Sequence, residues 1–186
     1  MKLCIADPPY LGRGAALYGP DALTFPSKVA GGPRERVRAG DANKQAEAWD
    51  DPAAHRIMVE RLISDFDGWC IALNADNLFE YLAWVPRDTR ICSWHKRDPF
   101  PAGRIVRSWE PVLVYVPQER RTRGETQMRD TLTTASPKAG LIGAKPPAWT
   151  RWVLDMLGYD PETDTVDDLF HGSGAVAAEV AQGVLL

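Results

Sequence analysis

The chain has little cysteine, little histidine and no long apolar run. Its three cysteines, Cys4, Cys70 and Cys92, are far apart in sequence, and each lies within an apolar, strand-like stretch. Such cysteines read as small buried hydrophobes in a reducing compartment. With no Cys-x-x-Cys pair and no histidine cluster, a metal site is not expected. No segment approaches the roughly 18 apolar residues that a membrane span needs. The opening Met-Lys-Leu-Cys-Ile-Ala lacks the longer apolar region and cleavage site of a secretory signal, so a cytoplasmic location is expected. Excess positive charge is also absent. The net charge of −3 and pI near 5.6 are not the overall signature of a nucleic-acid binder.

What is present is a globular composition: 45% hydrophobic and 25% charged residues, with seven tryptophans in 186 residues. That length supports one α/β domain spanning 1–186 and is too short for two full domains and a linker. The basic residues are unevenly spread. Lys28, Arg34, Arg36, Arg38 and Lys44 fall in one polar segment, and Arg120, Arg121, Arg123 and Arg129 in another, each a candidate phosphate-binding surface.

Residues 11–50 are rich in Gly, Pro, Ala and charge without a sustained period, which predicts a long loop. Asp50-Asp51-Pro52 then predicts a helix start, with Val59, Leu62, Ile63 and Phe66 on its buried face and a stop before Gly68. Trp69-Cys70-Ile71-Ala72-Leu73 predicts a buried strand, Ala75 to Trp84 a short helix, and Arg90 to Trp94 a further strand. The alternation is that of a doubly wound, mostly parallel sheet. The β-prone run 109–116 follows without room for a helix, so an antiparallel strand at the sheet edge is expected. Residues 117–144 read as irregular. Trp149, Trp152, Val153 and Met156 predict a helix after Pro146-Pro147, stopped by Gly158.

The two ends of the chain carry the chemistry. Leu3-Cys4-Ile5 delivers Ala6-Asp7-Pro8-Pro9-Tyr10 into a turn. A carboxylate and a neighbouring carbonyl can accept both hydrogens of an exocyclic amino group, prolines stiffen the backbone, and a tyrosine ring can stack on a base. At the other end, Thr165-Val166-Asp167-Asp168-Leu169-Phe170-His171-Gly172-Ser173-Gly174-Ala175 reads as strand, glycine turn and helix start, with the helix running from about Ser173 to Gln182. Glycines permit close approach of a ligand to the backbone, and the first helical amides are free.

The first motif resembles the catalytic tetrapeptide of amino-directed DNA methyltransferases, and the second resembles the S-adenosylmethionine turn of the same family. Catalytic motif first and cofactor motif last resembles the permuted β-type arrangement, and phage-encoded relatives are similar. Trp109-Glu110-Pro111 and Lys145-Pro146 also look like those enzymes. The resemblance implies a Rossmann-like class I methyltransferase fold, circularly permuted and truncated, with the Leu3–Ala6 and Val166–Leu169 strands flanking one crevice. It implies that Asp7 and the Pro8 carbonyl hold the target amino group, Pro9 shapes the turn, and Tyr10 stacks on a flipped base. It assigns cofactor contacts to Asp168, Phe170, His171, Gly172, Ser173 and Gly174, and places Lys145 and Pro146 in a segment closing over the cofactor.

The implied activity is methyl transfer from S-adenosylmethionine to adenine N6 in double-stranded DNA, with 11–50 and 117–144 facing the DNA. Cytosine N4 is the nearest rival, followed by a binding relative without turnover, and then by protein-glutamine methylation, whose motif order is the reverse. Cys4 is not in a Pro-Cys pair, which argues against cytosine C5 chemistry. Leu169 stands where the family has proline, and His171 where it has a small residue. Gly183-Val184-Leu185-Leu186 looks like the start of a strand whose acidic ribose-binding end is missing. The expectation is a cofactor strand near a sheet edge, covered by a second copy or a partner subunit.

Overall fold

A computed structural model describes residues 1–15, 46–100, 104–122, 127–137 and 143–183. Lys28, Arg34, Arg36, Arg38, Lys44 and Arg123 lie outside the described residues, as do most of segment 11–50, part of 117–144 and residues 184–186. The elements in chain order are β1 (Lys2–Ala6), α1 (Pro52–Asp65), β2 (Gly68–Ala72), α2 (Leu78–Leu82), β3 (Arg90–Phe100), β4 (Arg107–Tyr115), β5 (Thr131–Thr134), α3 (Pro147–Leu157), β6 (Thr165–Asp168) and α4 (Ala175–Gly183). Short 3-10 turns at Ala46–Asp50, Ala75–Asn77 and Gln118–Arg120 complete them.

The strands form one sheet in the order β5-β3-β4-β2-β1-β6. β1 is parallel to both β2 and β6, and β5 is parallel to β3. Only β4 is reversed, pairing antiparallel with β2 on one side and β3 on the other. The mostly parallel α/β class is as expected, but the antiparallel strand is interior and not at the edge. The reason is apolar content. Val112, Leu113 and Val114 alternate between the two faces and are all buried, so this strand requires cover above and below and a neighbour on each side. One edge belongs to β5, the polar Thr-Leu-Thr-Thr segment that periodicity does not reveal, and the other to β6.

Alternation along each strand feeds two cores. Leu3, Ile5, Cys70, Val112, Val114 and Trp94 pack with Trp149, Trp152, Val153 and Leu157 of α3. Cys4, Ala6, Ile71 and Leu113 pack with Met58, Val59 and Leu62 of α1 and with Tyr81 of α2. Asp51 caps α1 by accepting from the Ala53 N–H at 2.9 Å. Ile63 is not on the buried face of α1, being 44% exposed. The stripe runs through His55, Met58, Val59, Leu62 and Phe66, and one residue beyond Leu62 is a turn of 100° away from it. The three cysteines are buried and free, and burial pushes the Cys92 thiol up to about 11 and Cys4 up to about 12. Among the described residues no helix is long and apolar enough to cross a membrane.

Because β4 runs antiparallel to β2, with Tyr115 paired to Trp69, residues after it arrive at the amino-terminal end of the parallel strands. There Arg120 donates to the buried Asp164 at 2.5 and 2.8 Å and to the Gly158 carbonyl at 2.7 Å. Arg121 pairs with Asp88 and lies over the Tyr115 ring. These two arginines tie chain segments together at the amino-terminal end of the parallel strands. Arg129 is exposed.

Candidate functional site

β1 and β6 are neighbours in register, from Lys2 opposite Thr165 to Ile5 opposite Asp168. The Leu169 N–H extends the ladder by donating to the Ile5 carbonyl at 3.1 Å. From β1 the chain crosses by α1 over one face to β2, whereas β6 is reached through α3 on the other face. The winding reverses between β1 and β6. A crevice at the carboxyl ends of parallel strands forms at such a point, and both terminal motifs open into it.

The Asp7 turn leaves β1 with Pro8 buried and Pro9 and Tyr10 half-buried. It closes when the Arg13 N–H donates to the Tyr10 carbonyl at 2.8 Å. Gly14 and Ala15 then donate to the Asp50 carboxylate at 2.6 and 3.0 Å, which fastens the residues leaving the turn to those entering α1. Gly14 is obligatory there: a Cβ would lie 2.0 Å from the Ala46 carbonyl oxygen.

Across the crevice, Asp168 ends β6 with its carboxylate accepting from the Phe170 N–H at 3.0 Å. Burial raises its pKa, opposed by that hydrogen bond. Phe170 meets the Trp49 ring edge-on at 4.8 Å between centroids. His171, Gly172 and Ser173 are exposed, and the Gly174 N–H returns to the His171 carbonyl at 2.6 Å. Gly172 and Gly174 have φ of 33° and 73°, and a Cβ on Gly174 would meet nothing within 4 Å. A turn of this shape, open on its outer side and followed by the first amides of α4, suits a small polar ligand.

Lys145 belongs to the Asp7 side. Buried just before Pro146 and α3, its ammonium donates to both Asp7 carboxylate oxygens, at 2.7 and 2.8 Å. It also donates to the Tyr10 hydroxyl at 3.2 Å and the Gly143 carbonyl at 3.3 Å. The rings of Tyr10, Trp94 and Trp149 surround it at 5.5, 5.9 and 5.8 Å. Pro146 is likewise buried and hands the chain to α3.

Two further charges complete the cluster. Glu110 of β4 accepts from the Tyr10 hydroxyl at 2.7 Å, lies 3.8 Å from the Lys145 ammonium and is bridged by Lys96 of β3. Burial alone would raise both carboxyls. It does so for Asp7, where Lys145 offsets only part of it. For Glu110 the two ammonium groups prevail and hold the carboxyl below its usual range. The cluster has two anions and two cations. Lys96 is the participant that motif reading leaves out, and Glu110 is quoted there only as part of a strand entry with no role; the signal is an ionisable residue within each of two β-prone runs, where burial demands a partner.

An open α/β sheet of the Rossmann-like class, with its crevice at the β1/β6 reversal, is thus the class that fold and site define. No family model matches the sequence and no curated protein matches it. Among solved structures the chain is similar to one described as the M1.HpyAVI–SAM complex, with a TM-score of 0.53 and 16% identity. The match covers 97% of this chain and 76% of that one. At that identity it shows the shared fold.

Proposed function

We propose that the chain is a DNA methyltransferase that moves the methyl group of S-adenosylmethionine to the exocyclic amino group of adenine, N6. The observation that carries this reading is the meeting of Asp7-Pro8-Pro9-Tyr10 and residues 168–174 across one crevice, from opposite ends of the sequence. The similarity to a protein crystallised with SAM supports the cofactor. The residues present fit it: Asp168 offers a half-buried carboxylate, Phe170 an apolar wall, and Gly172 and Gly174 a backbone open to a ligand.

Bound there, S-adenosylmethionine supplies a methyl group on a sulfonium that leaves readily. Asp7 and the Pro8 carbonyl accept the two amino hydrogens and turn the nitrogen lone pair outward. Orientation and stabilisation of the positive charge growing on nitrogen do the catalytic work; the sulfonium is left as a neutral thioether, and the methylated nitrogen gives up one proton through the Asp7 carboxylate to water, so no strong base is required. Tyr10 provides the surface for a base drawn out of the duplex, an extrusion that costs a few kcal/mol. Double-stranded DNA is the macromolecular substrate in this reading, and a second subunit along the β6 edge is the partner it favours.

The test is incubation with unmethylated DNA and radiolabelled cofactor, followed by nucleoside analysis. Label in N6-methyladenine, lost by on the order of 100-fold or more in Asp7→Ala, is the expected result. Label in N4-methylcytosine would transfer the same mechanism to cytosine. Tight DNA binding with no label in any nucleoside would replace the enzyme by a binding protein.

A further inference from the structure

The Lys145 ammonium bonds both oxygens of Asp7, including the one that a base amino group would need. An amino nitrogen held by Asp7 and an ammonium held by Asp7 compete for the same space and the same lone pairs. Charge makes the conflict sharper. The reacting nitrogen becomes positive as it takes the methyl group, and an adjacent ammonium opposes that development while cancelling the carboxylate that should favour it. Lys145 must therefore have somewhere else to go, inside a pocket where an unpaired cation is costly.

Glu110 is placed for this. Its Oε2 is 3.8 Å from the Lys145 Nζ, so a shift of about 1 Å brings the pair to the length of a charge-assisted hydrogen bond. The oxygen already accepts from Tyr10 and has lone-pair capacity left for a second donor. The rings of Tyr10, Trp94 and Trp149 lie around the ammonium where it stands, and the Tyr10 hydroxyl, bonded to both Lys145 and Glu110, links the two seats.

Resting on the proposed methyl transfer, we infer that Glu110 is the second seat of Lys145: the ammonium holds Asp7 until a base amino group takes that carboxylate, and then passes to Glu110. Glu110 is thus a positioning residue, acting on the reaction through Lys145 and Tyr10 without touching the base. The ammonium is paired in both seats, and Asp7 is released at the moment it is needed.

The experiment measures methyl transfer to unmethylated DNA and cofactor binding by calorimetry, for wild type, Glu110→Gln, Glu110→Asp, Lys145→Met and the Glu110→Gln/Lys145→Met pair. Glutamine keeps the volume and can accept from Tyr10, but it removes the charge that draws the ammonium away. Glu110→Gln should raise the KM for DNA on the order of tenfold, the scale of one charged hydrogen bond, with cofactor affinity unchanged. Glu110→Asp, which keeps the charge, should recover part of the loss. In the Lys145→Met background, where nothing needs a second seat, Glu110→Gln should cost little more. A merely structural Glu110 would give additive effects instead. Wild type that labels DNA while Glu110→Gln matches it in KM overturns this inference alone, as do additive losses. Wild type that labels no nucleoside removes the methyltransferase reading and this inference with it.

Discussion

Asp7 is drawn two ways, and the balance can be measured. Burial raises its carboxyl pKa, the Lys145 ammonium pulls it back, and Glu110 and Asp168 add smaller upward pushes. The ionised carboxylate is the stronger acceptor for its amino hydrogen and the counter-charge for the nitrogen as it becomes positive, so activity should fall on the acid side as Asp7 takes up a proton. Because kcat/KM reports the free enzyme, where Lys145 is on Asp7, removing the ammonium must move that acid limb to higher pH. The pH profile of kcat/KM for Lys145→Met against wild type checks this. A limb that moves down in pH, or not at all, would show that another group controls it. At this scale the sequence was legible where residues are contiguous: Asp7 to Tyr10 and Asp168 to Gly174 are short runs, and each follows one of two neighbouring strands as their order implies. The ties among Lys145, Asp7, Glu110 and Lys96 were not. They join residues 138 and 14 positions apart, and only the assembled sheet sets their distance.

The elements that the sequence shows best are those whose own pattern decides them. The stripe of α3 and the Asp51 cap of α1 are local matters, and both form where expected. The placement of β4 inside the sheet is not local, since the same apolar run would suit an edge or an interior position until its neighbours are counted. β5 has almost no signal because an exposed edge strand needs little apolar surface. At this scale Gly14 gives the clearest prediction. A methyl group there would collide with backbone, the Ala46 carbonyl, and not with an adaptable side chain. Gly14→Ala should therefore force apart the junction between the Asp7 turn and the 3-10 turn before α1, and loosen both Asp50 hydrogen bonds. A stability loss of about 1–3 kcal/mol is expected, with faster amide exchange at Gly14, Ala15 and Ala46 than at β2. Urea unfolding and hydrogen exchange measure the two parts. Unchanged protection at the junction would contradict the proposed collision.

For the whole molecule, the proposed function separates chemistry from anchorage along the sheet. The carboxyl ends of β1 and β6 carry the candidate site, and their amino-terminal ends are tied by Asp164, whose side chain is fully buried and accepts from Arg120 and from the Asp160 N–H at 2.8 Å. The Arg120 hydrogen bonds, first among several causes, hold the Asp164 carboxyl well below its usual range. A depressed folded pKa means that the unfolded chain binds the proton more readily, so this tie stabilises fully above the ordinary carboxylate pKa of about 3.9. The contribution is lost as pH falls from there through the folded value. Asp164→Asn should cost about 2–3 kcal/mol at pH 7, the size of a charged hydrogen-bond set, and the gap to wild type should narrow as the medium is acidified below about pH 4. Denaturant titrations of both proteins at pH 7 and in acid give the comparison. Since Asp164 and Asp7 lie at opposite ends of β1, the variant should keep wild-type cofactor affinity at temperatures where it is still folded. A weakened cofactor site in folded Asp164→Asn would mean that the two ends of the sheet are coupled, and that anchorage and chemistry are not separate.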